Sequence, residues 1–492
     1  MTSLSAPETR QLMTPRAKNL ALLLLAMTQF VVVIDASIVN VALPSIGAHL
    51  HFARADLSWV VNAYTLTFGG FLLLGGRLAD ILGRRRVYMA GLVLFGVASF
   101  VGGFSQTEGM LIIARAVQGL GAALLSPAAL SILTTVFREG AERNRALGVW
   151  GAVAGAGGAA GVLLGGVLTE YLSWRWVLFV NVPIAAGAVL LAPRLVPESR
   201  DERQRNGFDV AGAFTVTAGL AVLIYALVDA NSAGWGSAQT VGLLALAVVL
   251  LVSFVVIESR SVAPLVPFDV FSSRTRTGAY ATGLLVGASL FSMFFFISLY
   301  MQQVLGWDAL KSGLAYLPLA ITIIISAGVA SVLVTKIGFK PVVIAGLLFI
   351  AAGLILFSRI SAGGSFFGDV LFPSLLAALG LGFSFVPVTI GGTTGISQDE
   401  AGLASGLINA GQQVGGALGL AILAALATAR TDAVATGLGK PSTTALTEGF
   451  SAAFLGGAGF ALIGAVLAIF LIRSEDSRAL IGQGQTPEQV PG

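Results

Sequence analysis

Long apolar runs separated by short polar loops fill this chain from residue 19 to residue 472. Each run holds roughly 17–25 residues, the length that crosses a hydrocarbon layer as a helix. In lipid, every backbone N–H and C=O must find its partner within the protein, so each crossing is helical. With 56% hydrophobic and 11% charged residues, the chain carries far less charge than soluble proteins do. It has no Cys, which leaves no disulfide and no thiolate metal site. The two His, His49 and His51, share one loop and read as a solvated turn. The pattern predicts an all-α membrane protein.

The spans fall at 19–43, 57–79, 87–104, 110–136, 146–168, 177–193 and 210–229. The rest fall at 239–258, 279–302, 313–335, 341–358, 370–391, 402–428 and 450–472. Fourteen spans place both termini on one side. The first run follows Arg10, Arg16 and Lys18, but it is too long for a signal peptide and lacks a cleavage site, so it is expected to remain as a span.

Basic residues choose the side. The N-terminal side collects Arg84, Arg85, Arg86, Arg138, Arg143, Arg145, Arg194, Arg200, Arg203 and Arg205. Arg260, Arg274, Arg276, Lys336, Lys340, Arg473 and Arg478 join them. The opposite loops hold only Arg54, Arg175, Lys311, Arg359, Arg430 and Lys440. By the positive-inside rule both termini are expected in the cytoplasm, and the expected location is a bacterial cytoplasmic (inner) membrane.

An internal repeat organises the spans. Gly157, Gly161 and Gly165 line one face of the fifth; Gly411, Gly415 and Gly419 line one face of the thirteenth. Gly166 extends the first of these runs. Small residues at this spacing let helices approach closely. The second and tenth spans are each followed by a short basic loop around a glycine, Gly83 and Gly338. Spans 1–6 thus align with spans 9–14, a transporter plan with the site between two halves. The expected divisions are a tail at 1–18, a six-helix bundle at 19–193 and a linker at 194–209. An inserted helix pair at 210–258, a linker at 259–278, a second bundle at 279–472 and a tail at 473–492 follow. The 194–209 segment reads as a mixed-charge linker and the Thr/Gly-rich outer loop near 430–449 as mobile.

One acid interrupts the first span. Asp35 lies about 14 Å from the outer end at 1.5 Å per residue, and Arg115 in the fourth span about 10 Å from the same surface. A carboxylate at that depth is paired, protonated by turns, or both. Arg115, at similar depth in the same half, is its expected partner; a static packing pair is the plainer alternative.

Six stretches together resemble a known family: "IDASIVNVALP" (Ile34–Pro44), "GGRLADILGRRR" (Gly75–Arg86), "LIIARAVQGLGAA" (Leu111–Ala123), "WGAVAGAGGAAGVLLGGVL" (Trp150–Leu168), "WRWVLFVNVP" (Trp174–Pro183) and "LYMQQVLGWDALKSG" (Leu299–Gly313). They are similar to motifs of the major facilitator superfamily, in particular its fourteen-span drug:proton antiporters, in the right order along nearly the whole chain. The resemblance implies proton coupling at Asp35 and Arg115. It also implies a conformational latch from Gly76, Asp80, Gly83, Arg84 and Arg85. Two positions depart from the pattern: Val162 stands where the antiporter motif has Pro, and Ile81 where the loop motif has a base.

Polar and aromatic residues in otherwise apolar spans are the candidate substrate contacts: Asn62, Tyr64, Phe294, Tyr300, Gln302, Gln303, Asn409, Gln412 and Gln413. Amides and rings in a large apolar cavity suit amphipathic molecules; interhelical hydrogen bonding is their ordinary alternative role. Spans 9–14 carry no interior acid, which argues against dedicated divalent organic cations. No G-x-x-x-x-G-K-[ST] loop is present, so a proton gradient, not ATP, is the expected energy source, with no cofactor, no metal and no nucleic-acid partner. The expectation is a non-enzymatic exporter of drugs, antibiotics or dyes, acting as a monomer in the bilayer. A lipid or self-made metabolite as cargo, or a membrane scaffold that lost transport, are the rival readings.

Overall fold

A computed structural model describes residues 13–52, 59–138, 140–199, 209–261, 264, 266, 268–396, 401–438, 442–478 and 481. Most of the expected tails and of the 194–209 linker lies outside them, as do Arg54, Arg203, Arg205 and Lys440. Among the described residues every regular element is helical.

Six helices open the chain: α1 Pro15–Leu50, α2 Trp59–Leu82, α3 Arg84–Gly103, α4 Glu108–Val136, α5 Ala141–Tyr171 and α6 Asn181–Leu195, the last preceded by the turn Trp176–Phe179. The pair α7 Val210–Ala233 and α8 Ala238–Glu258 follows. Six more close it: α9 Arg274–Leu299, α10 Leu317–Ile337, α11 Phe339–Phe357, α12 Phe372–Thr393, α13 Ala401–Leu438 and α14 Thr443–Leu471. Thirteen helices are long and apolar enough by themselves to cross a membrane. The fourteenth, α5, qualifies as a pair, Ala141–Gly158 and Ala160–Tyr171, bent by 44°. The bend falls in the glycine run, three residues or fewer from Val162, so the helix turns there without the motif proline.

Helix starts follow local chemistry. The Thr14, Thr107, Ser237 and Ser442 hydroxyls accept from backbone N–H groups in the first turns of α1, α4, α8 and α14. Gly83 (φ 107°) and Gly338 (φ 84°) cap α3 and α11 at matching places in the two halves, in a backbone region that L side chains avoid.

The glycine faces do the same work twice. Gly157, Gly161 and Gly165 press α5 onto Val33, Ser37 and Ile38 of α1. Gly415 and Gly419 press α13 onto Leu284 and Ala288 of α9, while Gly411 is 3.7 Å from the Tyr280 carbonyl by a hypothetical Cβ. Gly166 is buried beside Gly165. The first and fifth helices of each half therefore form a close pair.

One expectation needs correction. The stretch near 430–449 is mostly helix: α13 runs on to Leu438 and α14 begins at Thr443. Arg430 bridges Glu448 at 2.8 Å, and Gly449 packs against Thr431 and the Ala427 carbonyl. Alanine-rich sequence and this pairing extend the hairpin past the apolar limit that the span reading used.

A Cβ at Gly415 would lie 2.0 Å from the Leu284 carbonyl oxygen, and one at Gly161 1.9 Å from the Ser37 hydroxyl. Gly415→Val should force α9 and α13 apart and cost about 1–3 kcal/mol. Thermal unfolding in detergent should show a lowered midpoint, whereas Gly187→Ala, with open space around it, should unfold at or above the wild-type temperature.

Candidate functional site

Five helices of the first half converge on Asp35, which has no solvent exposure. Arg115 Nη1 donates to its Oδ2 at 2.5 Å. Gln118 Nε2 and Asn181 Nδ2 each donate to its Oδ1 at 2.7 Å. The carboxylate thus receives donors from α4 and α6 while its own helix, α1, supplies none.

The donors are themselves held. Arg115 Nε donates to the Val60 carbonyl of α2 at 3.0 Å, and Nη1 also donates to Gln118 Oε1 at 2.6 Å. Arg115 and Gln118 are three residues apart, on one face of α4. The Arg115 guanidinium stands 4.4 Å over the Tyr64 ring, a cation–π contact worth about 0.5–2 kcal/mol. Tyr64 in turn donates to the Val32 carbonyl at 3.2 Å. Ser99 of α3 accepts from Gln118 at 2.7 Å and gives its own proton to the Phe95 carbonyl.

Arg115, Gln118 and Asn181 are each 1% exposed, so the cluster is closed off from bulk solvent. A buried pair of this kind is costly to break from one side, about 3–5 kcal/mol, because the remaining charge has no water to turn to. The sequence reading named Asp35 and Arg115; it passed over Gln118, Asn181 and Ser99. Gln118 stood in the quoted fourth-span motif, and Asn181 just before Pro183, so a polar residue at a helix break was the available signal.

The second cluster lies where α2 meets α3, at the end rich in arginine. Asp80 Oδ1 accepts from Arg84 Nε at 3.2 Å and Nη2 at 3.0 Å. Its Oδ2 accepts from the Leu403 N–H in the first turn of α13, at 3.0 Å. That N–H lies at the positive end of a helix, which favours a carboxylate. Gly76 is buried, and a Cβ on Gly406 of α13 would stand 3.7 Å from its Cα. The Arg84 N–H donates to the Ser199 carbonyl, and the Arg85 N–H to Glu198 Oε1, so the chain after α6 folds back over Gly83. On the other seam, Asn144 of α5 donates to Thr335 of α10 at 2.9 Å. The halves are joined at this end on both sides.

The candidate substrate residues scatter. Phe294 stacks on Tyr316 at 5.5 Å and stands beside Gly158 of α5, between the halves. Gln413 lies where α13, α2 and α7 meet, near Gly69 and Ile224. Asn62, Asn409 and Gln412 are half-buried, with Asn409 donating to the Ser405 carbonyl of its own helix. The remaining candidates sit in other surroundings. Tyr64 is buried beneath Arg115 and serves the Asp35 cluster. Tyr300 is buried and donates to the Ser361 carbonyl, closing the loop before α12. Gln302 and Gln303 are exposed on the π-helical turn after α9. Sequence periodicity could not separate ring or amide groups that face a cavity from those that fasten helix ends.

The Major Facilitator Superfamily model matches residues 25–420. The chain is 39% identical to the puromycin resistance protein pur8 of Streptomyces alboniger over 93% of its length and 92% of that protein's. It is 42% identical to the cephamycin export protein CmcT of Amycolatopsis lactamdurans, over 91% of each. The human organic anion transporter MFSD10 (TETRAN) superposes with a TM-score of 0.62 at 14% identity, covering 93% of this chain and 100% of that one. Fourteen membrane helices, a fold shared with that transporter and a matching family model place this chain in the major facilitator superfamily.

Proposed function

We propose that this protein is a proton-driven antiporter that exports amphipathic small molecules from the cytoplasm by alternating access of its two halves. The carrying observation is the fully buried Asp35–Arg115 pair, braced by Gln118 and Asn181. Membrane-embedded acids are rare and tend to mark proton pathways. Relatives named for puromycin resistance and cephamycin export support small-molecule export as the task. The concentration of arginines at the Asp80 end supports cytoplasmic termini.

A proton reaching Asp35 removes the negative charge that holds Arg115 and frees the guanidinium to change partners. Release of the proton on the other side restores the pair. One proton crossing 100 mV yields about 2.3 kcal/mol, close to fifty-fold in concentration, which suffices for uphill export. Asp80 fastens the halves at the cytoplasmic end while the other end serves release. Phe294, Asn62, Asn409, Gln412 and Gln413 are the side chains proposed to meet cargo.

In proteoliposomes holding an antibiotic panel that begins with puromycin, Asp35→Asn should abolish proton-driven accumulation while downhill equilibration persists. Uphill transport by this variant at the wild-type rate would remove Asp35 from the coupling role. Arg115→Lys should reduce coupled transport at least tenfold, since one ammonium cannot satisfy Asp35, Gln118 and Val60 in the planes a guanidinium spans. Asp80→Asn keeps the shape but loses the charge on the α13 N-terminus. It should raise cysteine labelling at positions lining the cytoplasmic seam, a readout of weakened closure.

A further inference from the structure

Two carboxamides touch the Asp35 carboxylate, and they are held differently. Gln118 is fixed at both ends: Oε1 accepts from Arg115, while Nε2 donates to Asp35 and to Ser99. Asn181 is fixed at one end only. Its Nδ2 donates to Asp35 Oδ1 at 2.7 Å and to Ser99 at 3.4 Å. Its Oδ1 is buried with no hydrogen-bond partner among the described residues. A buried acceptor without a donor costs about 1–3 kcal/mol, so its persistence in a polar cluster needs a reason.

The reason lies in what happens when Asp35 takes up a proton. Oδ2 faces Arg115, whose guanidinium has only donors to offer. Oδ1 faces two amide N–H groups, so a carboxyl O–H formed there would point at donors. Gln118 cannot turn without losing Arg115, and Ser99 has spent its proton on Phe95. Asn181 can turn. The titratable groups that the structure places against Asp35 are Arg115 from α4 and Tyr64 from α2; α3 brings Ser99, α5 its glycine face and α6 Asn181. Gln118 Oε1 already accepts from Arg115 and the Tyr64 hydroxyl is turned to the Val32 carbonyl, whereas Asn181 Oδ1 has no partner at all among the described residues.

Resting on the proton-carrier reading above, we infer that Asn181 is a positioning residue serving both protonation states of Asp35, its amide turning over as the proton arrives. With the carboxylate ionised, Nδ2–H donates to Asp35 Oδ1. With a proton bound at that oxygen, the carboxyl O–H donates to Asn181 Oδ1 instead. No covalent bond other than the O–H itself forms or breaks, and the proton leaves by the reverse turn. Asn181 is the first residue of α6, directly after Val180 and two residues before Pro183, whose ring nitrogen has no N–H to donate.

The test is acid-minus-base infrared difference spectroscopy on the full chain in liposomes. The protonated-carboxyl C=O band of Asp35 is identified by its loss in D35N. In Asn181→Leu, which matches the side chain in size but can neither donate nor accept, that band should move to higher wavenumber because the carboxyl O–H has lost its acceptor. Asn181→Ser, with a shorter hydroxyl that can do both, should return it part of the way and serves if the leucine variant does not fold. The pH midpoint of puromycin-dependent proton flux should rise in Asn181→Leu by about half to one unit, since the bond to the charged carboxylate is the stronger of the two lost. A band at the wild-type position in both variants would overturn the role of Asn181 while leaving Asp35 as the carrier. Absence of any Asp35-dependent band would overturn the carrier reading and this inference with it.

Discussion

A single carboxylate with no exposure fixes much of the first bundle. Asp35 stands on a helix that must lie in oil, and its charge survives there only because donors arrive from α4 and α6. Those donors reach it only in one helix register. Arg115 must also find the Val60 carbonyl and the Tyr64 ring on α2, and Gln118 must find Ser99 on α3. The site therefore sets where α2, α3, α4 and α6 sit around α1. Neutralising the one negative charge loosens all of these demands together, which is the property a proton switch requires.

The second carboxylate, Asp80, solves a different problem with similar chemistry. It is equally buried, yet its partners come from both halves: Arg84 from its own side and the Leu403 N–H from the other. Asp35 thus tightens one bundle internally, while Asp80 fastens bundle to bundle. The glycine faces sit between these two roles. Gly161, Gly415 and Gly419 meet backbone, Ser37 or Ala288, and Gly157 and Gly165 receive Val33 and Ile38, so the paired helices lie close.

Much of this was legible in the residues. Fourteen apolar runs, matching glycine faces and loops around Gly83 and Gly338 announced the helix count and a close-packing face repeated in the two halves, but not which helix each face meets. An acid and a base at similar depth announced their own contact. Less legible was the company they keep. Gln118 and Asn181 are single polar residues in apolar runs, as are Tyr64, Tyr300, Gln302 and Gln303, and one-dimensional spacing does not say which of them points inward. The hairpin of α13 and α14 was missed for a related reason: hydropathy ends where the lipid ends, whereas helix propensity and the Arg430–Glu448 pair carry the backbone further.

The inserted pair finds its place through the same close-approach logic. Positions Gly69 and Gly70 of α2 leave room for Ile224 and Ala221 of α7, and Trp59 stacks on Tyr225 at 5.5 Å. Arg77, buried on α2, donates to the Pro264 carbonyl in the chain leaving α8, at 2.9 Å. Helix α7 also touches α13, so it lies over the seam between α2 and α13. Any motion that parts those two helices must slide α7 along one of them. The stacked rings, the glycine notch and the Arg77 tether all lie on the α2 side, so α2 is the partner that keeps it. No comparable helix covers the α5–α10 seam among the described residues, where Asn144 and Thr335 meet directly. The two seams of this transporter are thus unequal: one is shielded by a helix bound to the first half, the other faces its surroundings bare.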